Sequence, residues 1–117
     1  MDNASRLVVA MAEKCRDLIL ESHKTEHVTA LPKVLRPRHL LWMCYQIVNH
    51  AEAGPDTKLH RWIGFVQCGM IANRMLDLDG AKAMFYDAKQ KYGPGDEDLL
   101  DHLDPESSFK LEIGGES

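Results

Sequence analysis

The sequence predicts an all-α protein, a compact bundle of four main helices at about 4–22, 37–53, 57–76 and 80–92 with a short acidic C-terminal helix or tail. Three observations carry this. Apolar residues recur at alternating spacings of three and four, the Gly54-Pro55 and Gly93-Pro94 pairs bracket helix-length stretches, and only the FKLEI run near the C-terminus alternates as a strand would. At 117 residues there is room for one domain, long enough to bury about two thirds of its unfolded surface. We therefore expect a helical domain over 1–93 and an acidic segment over 94–117.

The first helix is expected from Ala4, Val8, Met11, Cys15 and Leu18, which share one face, with Asp2 or Asn3 as the cap. Residues 23–36 lose this periodicity and contain Pro32, so they read as a loop, and Pro37 suits the first turn of the second helix. That helix carries Leu40, Leu41, Cys44, Ile47, Val48 and Ala51 on a broad apolar face, with Trp42, Met43 and Tyr45 extending it round the other sides. A short chain has little material to wrap such a helix, so a homo-oligomer is expected. Asp56 or Thr57 would cap the third helix, making an antiparallel hairpin across the short Gly54–Asp56 turn. Within it, Leu59, Ile63, Val66 and Met70 form a core stripe, while Gly64, Cys68 and Ala72 form a ridge of small residues open to a neighbouring helix. Asp77 or Asp79 would start the fourth helix, and 96–103 suits one short acidic helix. Phe65, Gly69, Ala81, Phe85 and Ala88 fall near positions of a tetratricopeptide repeat, but one copy reads as ordinary packing of a helical hairpin.

Charge is unevenly spread. Residues 1–93 hold 13 Lys and Arg against 10 Asp and Glu, whereas 94–117 hold Lys110 against eight acids. Such a tail favours solubility and would be attracted to a basic surface. Cys15, Cys44 and Cys68 lie far apart without CxxC spacing, which fits reduced core residues. No apolar run approaches the 18 or so residues of a membrane span, and MDNASRL lacks the basic start and apolar run of a secretion signal, so a cytoplasmic location is expected, with no membrane partner.

Catalytic patterns fail on their own chemistry. His23, Glu26 and His27 spell HxxEH, but the motif straddles a helix end and lacks room for the rest of a zinc protease. Asp77, Asp79 and Gly80 match an EF-hand loop in part, yet Met75 and Tyr86 stand where the first and last carboxylates would be needed. No phosphate loop, nucleophile elbow or carboxylate pair is present. We expect no enzyme, no catalytic residue, no metal and no cofactor.

The most informative stretch is KLHRWIGFVQCGMIANR, from Lys58 to Arg74. His60, Gly64, Gln67, Ile71 and Arg74 share one helical stripe, and two mid-helix glycines, each costing roughly 1 kcal/mol, imply close backbone approach. Trp42 and Trp62 lie within four residues of basic groups, a pairing suited to stacking a base while holding its phosphate. The cations themselves, Lys33, Arg36, Arg38 and His39 against Lys58, His60 and Arg61, are expected towards opposite ends of the hairpin. They would form one patch only across subunits or through the loop.

HLLWMCYQIVNHAEA followed by KLHRWIGFVQCGMIA resembles a set of small, mostly uncharacterised proteins of phages and prophages that share a helical hairpin and an RW(I/L)G(F/Y)(V/I)Q signature. The resemblance covers about 38–76; Arg61, Trp62, Ile63, Gly64, Phe65, Val66 and Gln67 carry the signature, and Cys68 stands where a small residue is expected. It implies an accessory role in the host cell and supplies no catalytic residue. The leading expectation is counter-defence by stoichiometric sequestration of an anionic nucleotide signal. Lys58, His60, Arg61 and Arg74 would hold phosphate, Trp62 would stack, Gln67 would bond a base edge and Gly64 would admit it closely. The alternatives are a protein inhibitor of a host defence effector or other host protein, using the tail or the apolar second helix, and a direct nucleic-acid binder, which the net charge of −4 disfavours.

Overall fold

In the computed structural model, which describes residues 1–22 and 30–92, all regular structure is helical. The HxxEH motif, the Gly93-Pro94 stop, the helix expected at 96–103 and the FKLEI run lie outside the described residues. The first helix, α1 (Asn3–Glu21), starts on Asp2, whose carboxylate accepts the Ser5 backbone N–H at 2.8 Å. This satisfies a donor that helix geometry leaves open, and it holds the Asp2 carboxyl below its usual range. A short 3-10 turn, Lys33–Leu35, leads into α2 (Pro37–Asn49), with Pro37 in the first turn as expected.

Two helices stop early, and both stops have a bonding reason. The second helix was expected to reach Ala53, but residues 50–53 form a turn: the Gly54 N–H donates to the His50 carbonyl at 2.7 Å, and the Ser5 hydroxyl of α1 donates to the Ala51 carbonyl at 3.2 Å. A Cβ on Gly54 would sit 2.9 Å from the His50 oxygen, so the tight turn needs glycine there. The third helix, α3 (Asp56–Ala72), follows Pro55, which replaces the expected Asp56 or Thr57 as its flanking residue. It was expected to run to 76. Instead Arg74 adopts φ 64°, its N–H donates to the Ile71 carbonyl and the Met75 N–H donates to the Met70 carbonyl at 2.9 Å. This is a Schellman ending with arginine in the left-handed position that glycine normally fills. Asn73, 2% exposed, reinforces it by donating through Nδ2 to the Leu35 and Gly69 carbonyls. Asp77 then caps α4 (Leu78–Tyr92) by accepting the Gly80 N–H at 2.7 Å.

The core is built around α1, which packs against α2, α3 and α4. Val8, Met11 and Cys15 of α1 meet Leu40, Cys44 and Ile47 of α2, the full stripe Leu59, Ile63, Val66 and Met70 of α3, and Met84, Phe85 and Ala88 of α4. The α4 helix rests chiefly on α1 and does not pair with α3 as a tetratricopeptide hairpin would. The close approach in the α2–α3 hairpin falls at Gly69, where a Cβ would come within 2.6 Å of Leu40 Cδ2. Of the expected ridge of Gly64, Cys68 and Ala72, the last is half-buried and the first two are turned outward: nothing lies within 4 Å of a Cβ on Gly64, and Cys68 is exposed. Both residues stand one or two positions on from the buried stripe, about 100 to 200° round the helix. The outer side of α2 also carries large groups, with Trp42 50% and Tyr45 45% exposed.

Candidate functional site

The hairpin of α2 and α3 presents an aromatic shelf. His39 and Trp42 lie 5.5 Å apart between ring centroids, and Trp42 and Trp62 lie 6.0 Å apart, both within the range for attractive ring contacts. The Lys58 ammonium sits 5.5 Å from the Trp62 ring centroid, close enough for a cation–π contact. Residues 39 and 42 share a face of α2, as 58 and 62 do on α3, because each pair is three or four positions apart. Helical periodicity therefore builds the shelf from both sides.

Two clefts meet at Trp62. One, at the hairpin turn, has a volume of about 190 Å³ and is lined by Gln46, His50, Gly54, Pro55, Lys58, Leu59 and Trp62. The other, further along the helices, has a volume of about 490 Å³ and is lined by Val34, His39, Met43, Arg61, Trp62 and Phe65. Each is lined by one Lys or Arg, Lys58 or Arg61, and among the described residues neither lining contains an acid. The walls are largely apolar, so a charged ligand group would meet its cation with little competing polarity.

Of the seven residues expected at the site, Lys58, Arg61 and Trp62 come together here. His60 does not: it is 4% exposed, because it follows Leu59 on the inward side of α3. Gln67 is half-buried and its amide donates to the Met84 sulfur at 3.5 Å, which turns it towards α4. Arg74 lies beyond the end of α3, in the left-handed turn, and Gly64 is exposed on the outer face one turn from Arg61. The stripe of His60, Gly64, Gln67, Ile71 and Arg74 thus divides between inside and outside, since steps of three and four drift across the boundary of a helix with a narrow buried face.

Of the first basic group only His39 reaches the clefts; Lys33, Arg36 and Arg38 line neither of them. His39 shares a cleft with Arg61, and the indoles of Trp42 and Trp62 bridge the hairpin between them. Gln46 and His50 were not singled out from the sequence, and Trp42 and His39 were noted as a stacking aromatic and a basic group without being placed among the seven site residues. The available signal was hairpin pairing: folding α2 back on α3 about Gly54 places the tryptophan of each helix opposite the other.

The cysteines divide similarly. Cys15 and Cys44 are buried, and burial pushes each thiol up to about 12, whereas Cys68 is exposed and not in the core as expected. Among the described residues no group of three or more His, Cys, Asp or Glu is placed to hold a metal ion, and no helix is long and apolar enough to cross a membrane.

The arrangement is an all-α bundle carrying an open, cationic, aromatic surface on one hairpin. No family model, curated protein sequence or solved structure matches the chain.

Proposed function

We propose that this chain is a binding protein without catalytic chemistry that captures an anionic nucleotide on the α2–α3 surface. The observation that carries the reading is Trp62 lining both the Lys58 cleft and the Arg61 cleft, beside Trp42, with no acid among the described lining residues. Stacking on an exposed indole contributes roughly 1 to 3 kcal/mol per base, and a charge-assisted contact to phosphate about 1.5 to 3 kcal/mol. Both act by binding alone and require no bond to be made or broken. In the accessory setting implied by the resemblance to phage-encoded proteins, the role would be counter-defence by sequestration of a host nucleotide signal.

A second reading has its own support. Val34, Trp42, Tyr45 and Phe65 are exposed apolar groups, a composition that also suits a protein partner, either a host effector or a second copy of the chain. Mass spectrometry of small molecules released by heating the purified protein separates the two. A retained nucleotide in near-stoichiometric amount is the expected result. Release of none, with no uptake of added nucleotides, would overturn the first reading and leave the second.

A further inference from the structure

Trp62 forms a wall of both clefts, and each cleft has its own cation. At about 190 Å³ the turn cleft is smaller than the roughly 300 Å³ at which ligand pockets usually begin, so it does not hold a complete ligand alone. The second cleft is larger but open, and one cation, Arg61, serves it. The two are neighbours on the hairpin, with Trp62 as the lining residue they share. Polar groups on α2 flank both, with Gln46 and His50 at the turn and His39 beside Arg61, each able to bond the edge of a base.

From this juxtaposition we infer that the hairpin holds two nucleotide subsites sharing Trp62, and that its ligand class is a dinucleotide. One phosphate pairs with Lys58 and the other with Arg61, while the two bases use the shelf of the exposed Trp42 and the half-buried Trp62, whose rings are 6.0 Å apart. Charge complementarity selects this occupant: one cation in each cleft, with no acid among the described lining residues, matches two phosphates joined through a sugar, and a single phosphate leaves one cation unused. The inference rests on the nucleotide reading above and specifies how many units the surface takes.

Covalent linkage makes the second contact intramolecular, which raises affinity by a factor set by effective concentration. The test is titration calorimetry of the full chain with adenosine 5′-monophosphate and with the 5′-phosphorylated adenosine dinucleotide, repeated on Lys58→Ala and Arg61→Ala. The dinucleotide is expected to bind one per chain, at least about tenfold more tightly than the mononucleotide. The mononucleotide is expected to bind two per chain, falling to one in either variant, and both variants should weaken the dinucleotide. Lys58 and Arg61 are exposed, so an unchanged melting temperature serves as the control for folding. Equal affinities with one mononucleotide per chain would overturn the paired subsites while leaving a single nucleotide site in place. Binding of neither ligand would overturn both.

Discussion

The inward and outward faces of α3 carry similar residues in opposite surroundings. Gly69 is pressed against Leu40, while Gly64, five positions earlier, has open space where a side chain would stand. Met70 is fully buried and its neighbour Ile71 is 39% exposed; Phe65 is 38% exposed, whereas Phe85 of α4 is sealed in the core. Residue type alone therefore does not say what a position does in this protein. The inner set holds the bundle together, and the outer set is free to meet something else.

The phenylalanines give the largest expected contrast. Phe85→Ala should cost about 3 to 5 kcal/mol, because it removes transfer energy and leaves a cavity in a packed core. Phe65→Ala should stay within about 1 kcal/mol, measured by denaturant titration of both variants. Equal costs would mean that Phe65 is covered in solution, as a second copy of the chain would cover it.

The glycines should differ in sign. At Gly69 a valine would have to displace Leu40, which is itself fully buried, at a cost of roughly 1 to 3 kcal/mol. At Gly64 an alanine meets nothing and removes the helix penalty, so Gly64→Ala should raise stability by up to about 1 kcal/mol. Destabilisation by Gly64→Ala would place a close neighbour on the outer face. Arg74→Gly belongs with these: relieving a left-handed arginine should add about 1 kcal/mol in thermal melts.

The cysteines give the smallest energetic effect and a clear chemical one. Cys68 should react with an aromatic disulfide reagent in the native protein, while Cys15 and Cys44, whose thiols are pushed up to about 12 by burial, should react only as the fold opens. Protection of all three would show that the outer face of α3 is occluded.

The helices and their core stripes were legible because they follow a simple period. Leu59, Ile63, Val66 and Met70 are buried as their spacing predicts, and Asp2 and Asp77 cap the helices that their position suggests. The ending of α3 was not legible, since a Schellman turn with arginine in place of glycine carries no composition signal, and its support from Asn73 to Leu35 spans 38 residues. The site was read in part. Lys58, Arg61 and Trp62, read from local charge and aromatic spacing, line the two clefts, but the direction of His60 and Gln67 depends on where α1 and α4 pack, and the presence of Gln46 and His50 beside them depends on how α2 packs against α3. Tertiary contacts decided these, and local pattern could not.

The central claim is that the outer cations bind a ligand and do not hold the fold, and Arg61 tests it most directly. Thermal melts and titration calorimetry of Arg61→Ala with the four nucleoside 5′-monophosphates read both sides at once. Because Arg61 is exposed, stability should change by only about 0.5 kcal/mol. Affinity at the cleft it serves should fall roughly 10-fold to 150-fold, the equivalent of losing a charge-assisted contact of about 1.5 to 3 kcal/mol. A stability loss of several kcal/mol with unaltered affinity, or no binding of any of the four by the unmodified chain, would contradict the account.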